Sequence, residues 1–224
     1  MKLAVLFSGG KDSTFACYKK IKEVVCLITL ISKNQESYMF HTPNIKLTKV
    51  QAEAIGLPLI SIETEGKKEE ELEDLKKAIE AAKEKYSVEG IVTGAVQSVY
   101  QSERIKKICD ELNLKSVNPL WSKNPEQYWR ELLDKKFEII ITSVSTEGLG
   151  KEWLGKKIDE KNFEKLKKLS EEFKFHLEFE GGEAETFVTD CPVFKKRIEI
   201  LKASKSYKDF NGIYKIEKFR LVEK

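Results

Sequence analysis

Histidine is almost missing from this chain, which has two, and arginine is scarce, at four. The four cysteines, at 17, 26, 109 and 191, stand far apart with no Cys-x-x-Cys pair. Too few thiolate or imidazole ligands lie together for a zinc or iron–sulfur site. Each cysteine falls in or beside an apolar stretch, so buried packing is expected for all four. Long hydrophobic runs are missing as well. The longest, residues 24–31, is eight residues and includes Thr29, far short of a membrane span. The start, Met1, Lys2, Leu3, passes directly into an apolar strand and leaves no room for a cleaved leader. A cytoplasmic location with no membrane partner is therefore expected. Nor does one sign of charge dominate: 40 basic residues face 37 acidic ones, and direct nucleic-acid binding is not expected.

What is present begins with "LAVLFSGGKDSTFACYKK". The run from Leu3 to Phe7 is apolar throughout, as in a strand covered on both faces, and a helix is predicted from Ser13 onward. Ser8, Gly9, Gly10, Lys11, Asp12 and Ser13 therefore lie between the carboxyl end of a strand and the amino end of a helix. In open α/β sheets ligands bind there, and a helix start offers unpaired N–H donors to an anion. A cap explains one polar side chain and a turn explains one glycine, which leaves Lys11 and the second glycine without a structural task. A Walker loop separates its glycines by four residues, whereas Gly9 and Gly10 are adjacent. The loop is instead read as a different phosphate cradle. The backbone N–H groups of Gly9 and Gly10 approach the phosphates closely because no Cβ intervenes, and Lys11 supplies a point charge. Asp12 is left either to hold Mg²⁺ or to cap the helix.

Further buried strands are predicted at residues 24–31, 58–62, 90–93 and 138–143, with helical spacing between them. Leu47, Val50 and Ala54 mark one helix, stopped by Gly56 and Pro58. Leu72, Leu75, Ile79, Ala82 and Tyr86 mark a second; Ile105, Ile108, Cys109 and Leu112 mark a third. Alternating strand and helix predict a doubly wound parallel sheet, an α/β class. After about residue 150 the pattern changes to one amphipathic helix (Phe163, Leu166, Leu169, Phe173) followed by short strands and turns. The expected organisation is a nucleotide-binding domain over residues 1–150 and a smaller α+β lobe over residues 151–224.

Three more stretches carry polar chemistry: "HTPN" at His41–Asn44, "TGAVQSVYQSERIKKICDELNLKSVNPLW" at Thr93–Trp121 and "EGGEAETFVTDCP" at Glu180–Pro192. Gly94 ends a strand, so its backbone can approach a ligand, and Gln97, Ser98, Gln101 and Arg104 follow at a helix start. Arg104 is suited to bidentate contact with a phosphate or carboxylate, although helix capping also accounts for Gln97 to Gln101. His41 is equally a packed or surface histidine, and Trp121, after Pro119, is expected in the core. Glu180, Gly181, Gly182, Glu183, Glu185 and Thr186 form a carboxylate-rich loop beside an apolar strand, more acid than a plain turn needs.

"SGGKDS" resembles the PP-loop of the adenine nucleotide alpha hydrolase superfamily, the N-type ATP pyrophosphatases, and with the other three stretches the chain resembles the diphthine-ammonia ligase family over nearly its whole length. That resemblance implies ATP-dependent amidation of diphthine on translation elongation factor 2 by ammonium, giving AMP and pyrophosphate, with Mg²⁺ as the expected companion of ATP. It implies ATP binding by Ser8 to Ser13 and Gly94, with Lys11, Asp12 and Glu183 catalytic. Substrate binding falls to Gln97, Ser98, Gln101, Arg104 and the loop from Glu180 to Thr186, where one carboxylate attracts the trimethylammonium group and another binds ammonium or takes a proton from it. The alternatives are another enzyme of the superfamily, such as a tRNA-modifying adenylating ligase, and a non-catalytic ATP-binding module.

Overall fold

The computed structural model describes residues 1–33 and 43–224, so His41 lies outside the described residues. The chain forms two compact units, Met1–Ser122 and Lys123–Lys224.

In the first unit β1 (Leu3–Leu6) leads into α1 (Lys11–Lys20), β2 (Val24–Ser32), α2 (Thr48–Ile55), β3 (Leu59–Thr64), α3 (Lys68–Tyr86), β4 (Gly90–Val92), α4 (Val99–Glu111) and β5 (Lys115–Val117). The strands form one parallel sheet in the order β3-β2-β1-β4-β5. The chain steps outward twice from β1, then crosses back to β4, and right-handed crossovers therefore put the first two helices and the last two on opposite faces. On one face, Leu75, Ala78, Ile79 and Ala82 of α3 and Ile105, Ile108 and Cys109 of α4 pack on Ala4, Cys26, Ile28 and Ile91. The predicted stop of α2 is realised by Gly56, whose positive φ of 81° lets its N–H reach the carbonyls of Ala52 and Glu53. The order of strands reverses between β1 and β4, which makes the carboxyl ends of these two strands the switch point of the sheet.

The second unit contains α5 (Pro125–Asp134), β6 (Glu138–Ser145), α6 (Glu160–Phe173), β7 (Ala184–Asp190), β8 (Lys196–Lys208) and β9 (Asn211–Glu223). Its sheet is antiparallel, in the order β7-β6-β9-β8. Asn124 caps α5 by accepting from the Gln127 N–H at 3.1 Å, and Pro125 occupies the first turn, where its missing N–H costs nothing. Asp159 caps α6 in the same way. Tyr128, Trp129, Phe163 and Leu166, all fully buried, bring these two helices into the core.

Three expectations are corrected. The strand at 138–143 belongs to the antiparallel sheet, not to the parallel one, and the units divide at 122/123 rather than near 150. β6 has four consecutive buried residues, 139–142. A strand buried on both faces carries no sign of its direction, so the same apolar run serves either kind of sheet. Trp121 is also not core, being 40% exposed. All four cysteines are buried and unbridged, as expected. Among the described residues no helix is long and apolar enough to cross a membrane.

Candidate functional site

The loop after β1 is built from its own short side chains. Gly9 adopts φ +79°, a left-handed conformation that a Cβ would strain. Gly10 is the N-cap of α1, and no side chain among the described residues caps that end. Ser13 Oγ accepts the Ser8 N–H at 3.2 Å, lies 3.1 Å from Ser8 Oγ, and donates to the Gly10 carbonyl at 3.3 Å. The two serines thus tie the loop across its base. The choice left open for Asp12 is narrowed: it is not the cap, and its carboxylate, a third exposed, takes the Lys11 Nζ at 2.9 Å. Lys11 itself is 2% exposed, so its ammonium is shielded from bulk water. Thr14, in the same first turn, is fully buried with no partner for its hydroxyl among the described residues.

Two supports come from outside the motif. The Gln51 side chain of α2, fully buried, donates from Nε2 to the Gly9 carbonyl at 2.9 Å and fills the space where a Gly9 side chain would stand. Gly94, just beyond β4, lies so close to α1 that a Cβ there would be 2.7 Å from the Asp12 carbonyl carbon and the Ser13 nitrogen. The sequence suggested that Gly94 leaves room for a ligand; what occupies that room is the first turn of α1. The segments after β1 and β4 therefore abut at the sheet's switch point.

Beyond Gly94, Thr93 Oγ1 donates to Asn118 Oδ1 at 2.6 Å, and Asn118 Nδ2 donates to Ser102 Oγ at 2.8 Å. This chain of bonds fastens the end of β4, the segment after β5 and the first turn of α4. Ser98 is the N-cap of α4 and accepts the Gln101 N–H at 3.4 Å, which makes the capping account of that position correct. Gln97 is exposed and Gln101 half-buried. Arg104 is not brought to the glycine loop. Its guanidinium lies 3.5 Å over the Tyr100 ring, and it lines a cleft of about 310 Å³ between α3 and α4 with Glu70, Lys76, Lys107 and Glu111.

In the second unit the acidic loop is pinned from below. Trp129 Nε1 donates to the Leu177 carbonyl at 2.9 Å, and the Trp129 ring meets Phe179 edge-on at 6.0 Å. Phe179 and Gly182 both turn through positive φ. Glu183 spends its carboxylate on the backbone: Oε1 accepts the His176 N–H and Oε2 the Gly181 N–H, each at 2.9 Å. It organises the loop, which weakens its claim to be the catalytic carboxylate. Glu180 and Glu185 are half-buried beside it, and Thr186 is 4% exposed.

Gln51 and Asn118 are the residues that sequence reasoning missed. No local signal marks Gln51, 42 residues from its partner. Asn118 stood inside a quoted stretch but was not singled out.

A five-stranded parallel sheet, with a glycine loop leading into a helix at its switch point, defines a Rossmann-like α/β protein. An antiparallel β unit follows it. Residues 1–116 match the diphthamide synthase N-terminal domain and residues 124–222 match the diphthamide synthase C-terminal domain. The chain belongs to the diphthamide synthase family. A Bos taurus protein named diphthine–ammonia ligase is 36% identical over 220 residues, covering 88% of this chain and 82% of its own length. Its Homo sapiens counterpart of the same name has the same identity and coverage. A solved structure described as a predicted subunit of a tRNA methyltransferase from Methanocaldococcus jannaschii aligns with a TM-score of 0.46 at 20% identity, over 86% of this chain and 98% of that one.

Proposed function

We propose that this protein is an AMP-forming carbon–nitrogen ligase that amidates diphthine on translation elongation factor 2 with ammonium, giving diphthamide and pyrophosphate. The observation that carries this reading is that relatives named diphthine–ammonia ligase align across 88% of the chain. A carboxylate is a poor acyl donor because its leaving group would be oxide. ATP, when bound, supplies the adenylyl group that makes AMP the leaving group instead.

The chain's own residues fit that ligand. Among the described residues no side chain caps the amino end of α1, and a helix start of this kind suits an anion. Gly9 and Gly10 bring backbone to the β- and γ-phosphates, and the Lys11 ammonium adds charge where pyrophosphate departs. Ser8, Ser13 and Gln51 hold the loop in shape. Among the described residues no cluster of three metal-binding side chains exists. That suits Mg²⁺, which is commonly held by one or two carboxylates with phosphates and water; Asp12 is the carboxylate at hand. The second unit, with its acidic loop, is assigned to the trimethylammonium-bearing substrate, whose positive charge Glu180 and Glu185 complement.

The test is mass spectrometry of diphthine-bearing elongation factor 2 after incubation with the protein, ATP and ammonium. Amide formation with equal yields of AMP and pyrophosphate is expected. Release of ADP and phosphate, or an unchanged acceptor, overturns the reading. Activity with glutamine but not ammonium would overturn the choice of nitrogen donor.

A further inference from the structure

The two long strands at the carboxyl end are unlike the rest of the molecule. Residues 195–224 carry ten basic and four acidic side chains, in a chain whose total is 40 against 37. In the β8–β9 ribbon Ile198 and Ile216 are buried, while Arg197, Lys202, Lys215, Lys218 and Arg220 are exposed, and register shifts between Ile200 and Ala203 interrupt the simple alternation of faces. Lys202 stands directly across from Lys218, and like charges in that position repel. Lys202 reaches sideways to Glu217 at 3.0 Å and Arg220 takes Glu199 at 2.7 Å. Lys215 and Lys218 have no ion pair among the described residues. On the same ribbon Leu201, Phe210 and Ile213 are 45%, 54% and 41% exposed.

One bland account is edge protection, since lysines on an outer strand discourage pairing with other chains. β8 is an outer strand, and Lys205 and Lys208 fit that account. It does not explain three exposed apolar side chains on the ribbon, nor Lys202 set across from Lys218, where a Lys–Glu pair would guard the edge equally well. Lysines in excess of their carboxylate partners, together with exposed apolar area, are the character of a surface that is covered by something acidic.

We infer that the exposed face of the β8–β9 ribbon docks an acidic surface of the protein substrate, with Lys215 and Lys218 as the steering charges. The inference rests on the proposed function only in taking that substrate to be a protein. A protein surface is favoured over a nucleic acid because Glu199 and Glu217 lie among the cations and because apolar side chains share the ribbon. A phosphate backbone would meet Glu199 and Glu217 with like charge.

The experiment uses the full chain carrying Lys215→Glu with Lys218→Glu, and a neutral pair, Lys215→Gln with Lys218→Gln. Both are assayed for amidation of diphthine-bearing elongation factor 2, beside ATP titration and thermal melting. The expected result is a rise of about tenfold in KM for the protein substrate in the reversed pair and a smaller rise in the neutral pair. Turnover at saturation and KM for ATP should stay unchanged, and added salt should raise KM in the parent protein more than in the variants. If the reversed pair does not fold, the neutral pair carries the same comparison. An unchanged KM in a folded variant overturns the inference, as does loss of affinity for an RNA homopolymer with KM for the protein unaltered. Absence of amidation by the parent protein is a different failure: it removes the proposed function before any variant is compared.

Discussion

Replacing Gly94 with alanine probes the closeness of the two segments at the switch point. Gly94 is not among the glycines with positive φ, so alanine meets no backbone strain of its own. The cost is steric and comes from one place. The added Cβ would lie 2.7 Å from the Asp12 carbonyl carbon and the Ser13 nitrogen, and ordinary contact begins near about 3.5 Å. Something must therefore move by roughly 0.8 Å, and both obstacles are backbone rather than the free end of a side chain. Overpacking of this kind costs about 1–3 kcal/mol of stability. Displacing the first turn of α1 also displaces Lys11 and Asp12, and a misplacement near 1 Å in a reacting geometry costs about a hundredfold in rate. The assay is urea denaturation beside single-turnover AMP release at saturating ATP. A lower midpoint with turnover reduced by one to two orders of magnitude is expected. Unchanged midpoint and unchanged turnover together would refute the claim that Gly94 sets the position of the loop.

Lys11→Ala should remain folded and lose about 3 kcal/mol of transition-state stabilisation, roughly a hundredfold in turnover; near-normal AMP formation in the folded variant would sink the assignment of the loop. Gln51→Ala removes the buried bond to the Gly9 carbonyl and should lower stability by about 1–2 kcal/mol while raising KM for ATP, and an unaltered KM would show that Gln51 is only packing. Glu183→Gln replaces one acceptor with an NH₂ group facing a backbone N–H, so a loss of about 1–3 kcal/mol is expected, with ATP affinity measured by calorimetry unchanged; an unaltered melting temperature would refute its role in holding the loop. Burial pushes the Cys26 and Cys109 thiols from the ordinary value of 9.0 up to about 11 and Cys191 to about 12. Folded-state values raised in this way contribute stability that is fully present below about pH 9 and is lost as pH climbs toward 11 and beyond. The urea midpoint should fall across that window, and thiol labelling at pH 8 should proceed no faster than unfolding.

Much of the first unit was legible because its signals are local. Apolar runs of strand length, a 3-4 rhythm in the helices and a glycine stop after Ile55 each act over a few residues. β5 was not seen, because three residues with an exposed Lys115 show no pattern of their own; it exists through pairing with β4. β9 was missed for a related reason, its register being dictated by β8. At the site, the serines, Gly9, Gly10 and Lys11 stand where the sequence puts them. Arg104 does not, since sequence gives its place near a helix start but not the ring of Tyr100 that captures it. Glu183 likewise reads as a reactive carboxylate until two backbone N–H groups are found beneath it.

Each compact unit is a single continuous stretch of chain, with one crossing between Ser122 and Lys123. Every strand of the parallel sheet, and every residue of the glycine loop with its supports Gln51 and Gly94, has been translated before that crossing is reached. Chains grow from the amino end and domains fold as units during synthesis. The glycine loop therefore takes shape on the ribosome while the antiparallel sheet is still unmade. A nascent chain arrested after residue 122 would hold the complete parallel sheet with its glycine loop and none of the antiparallel sheet.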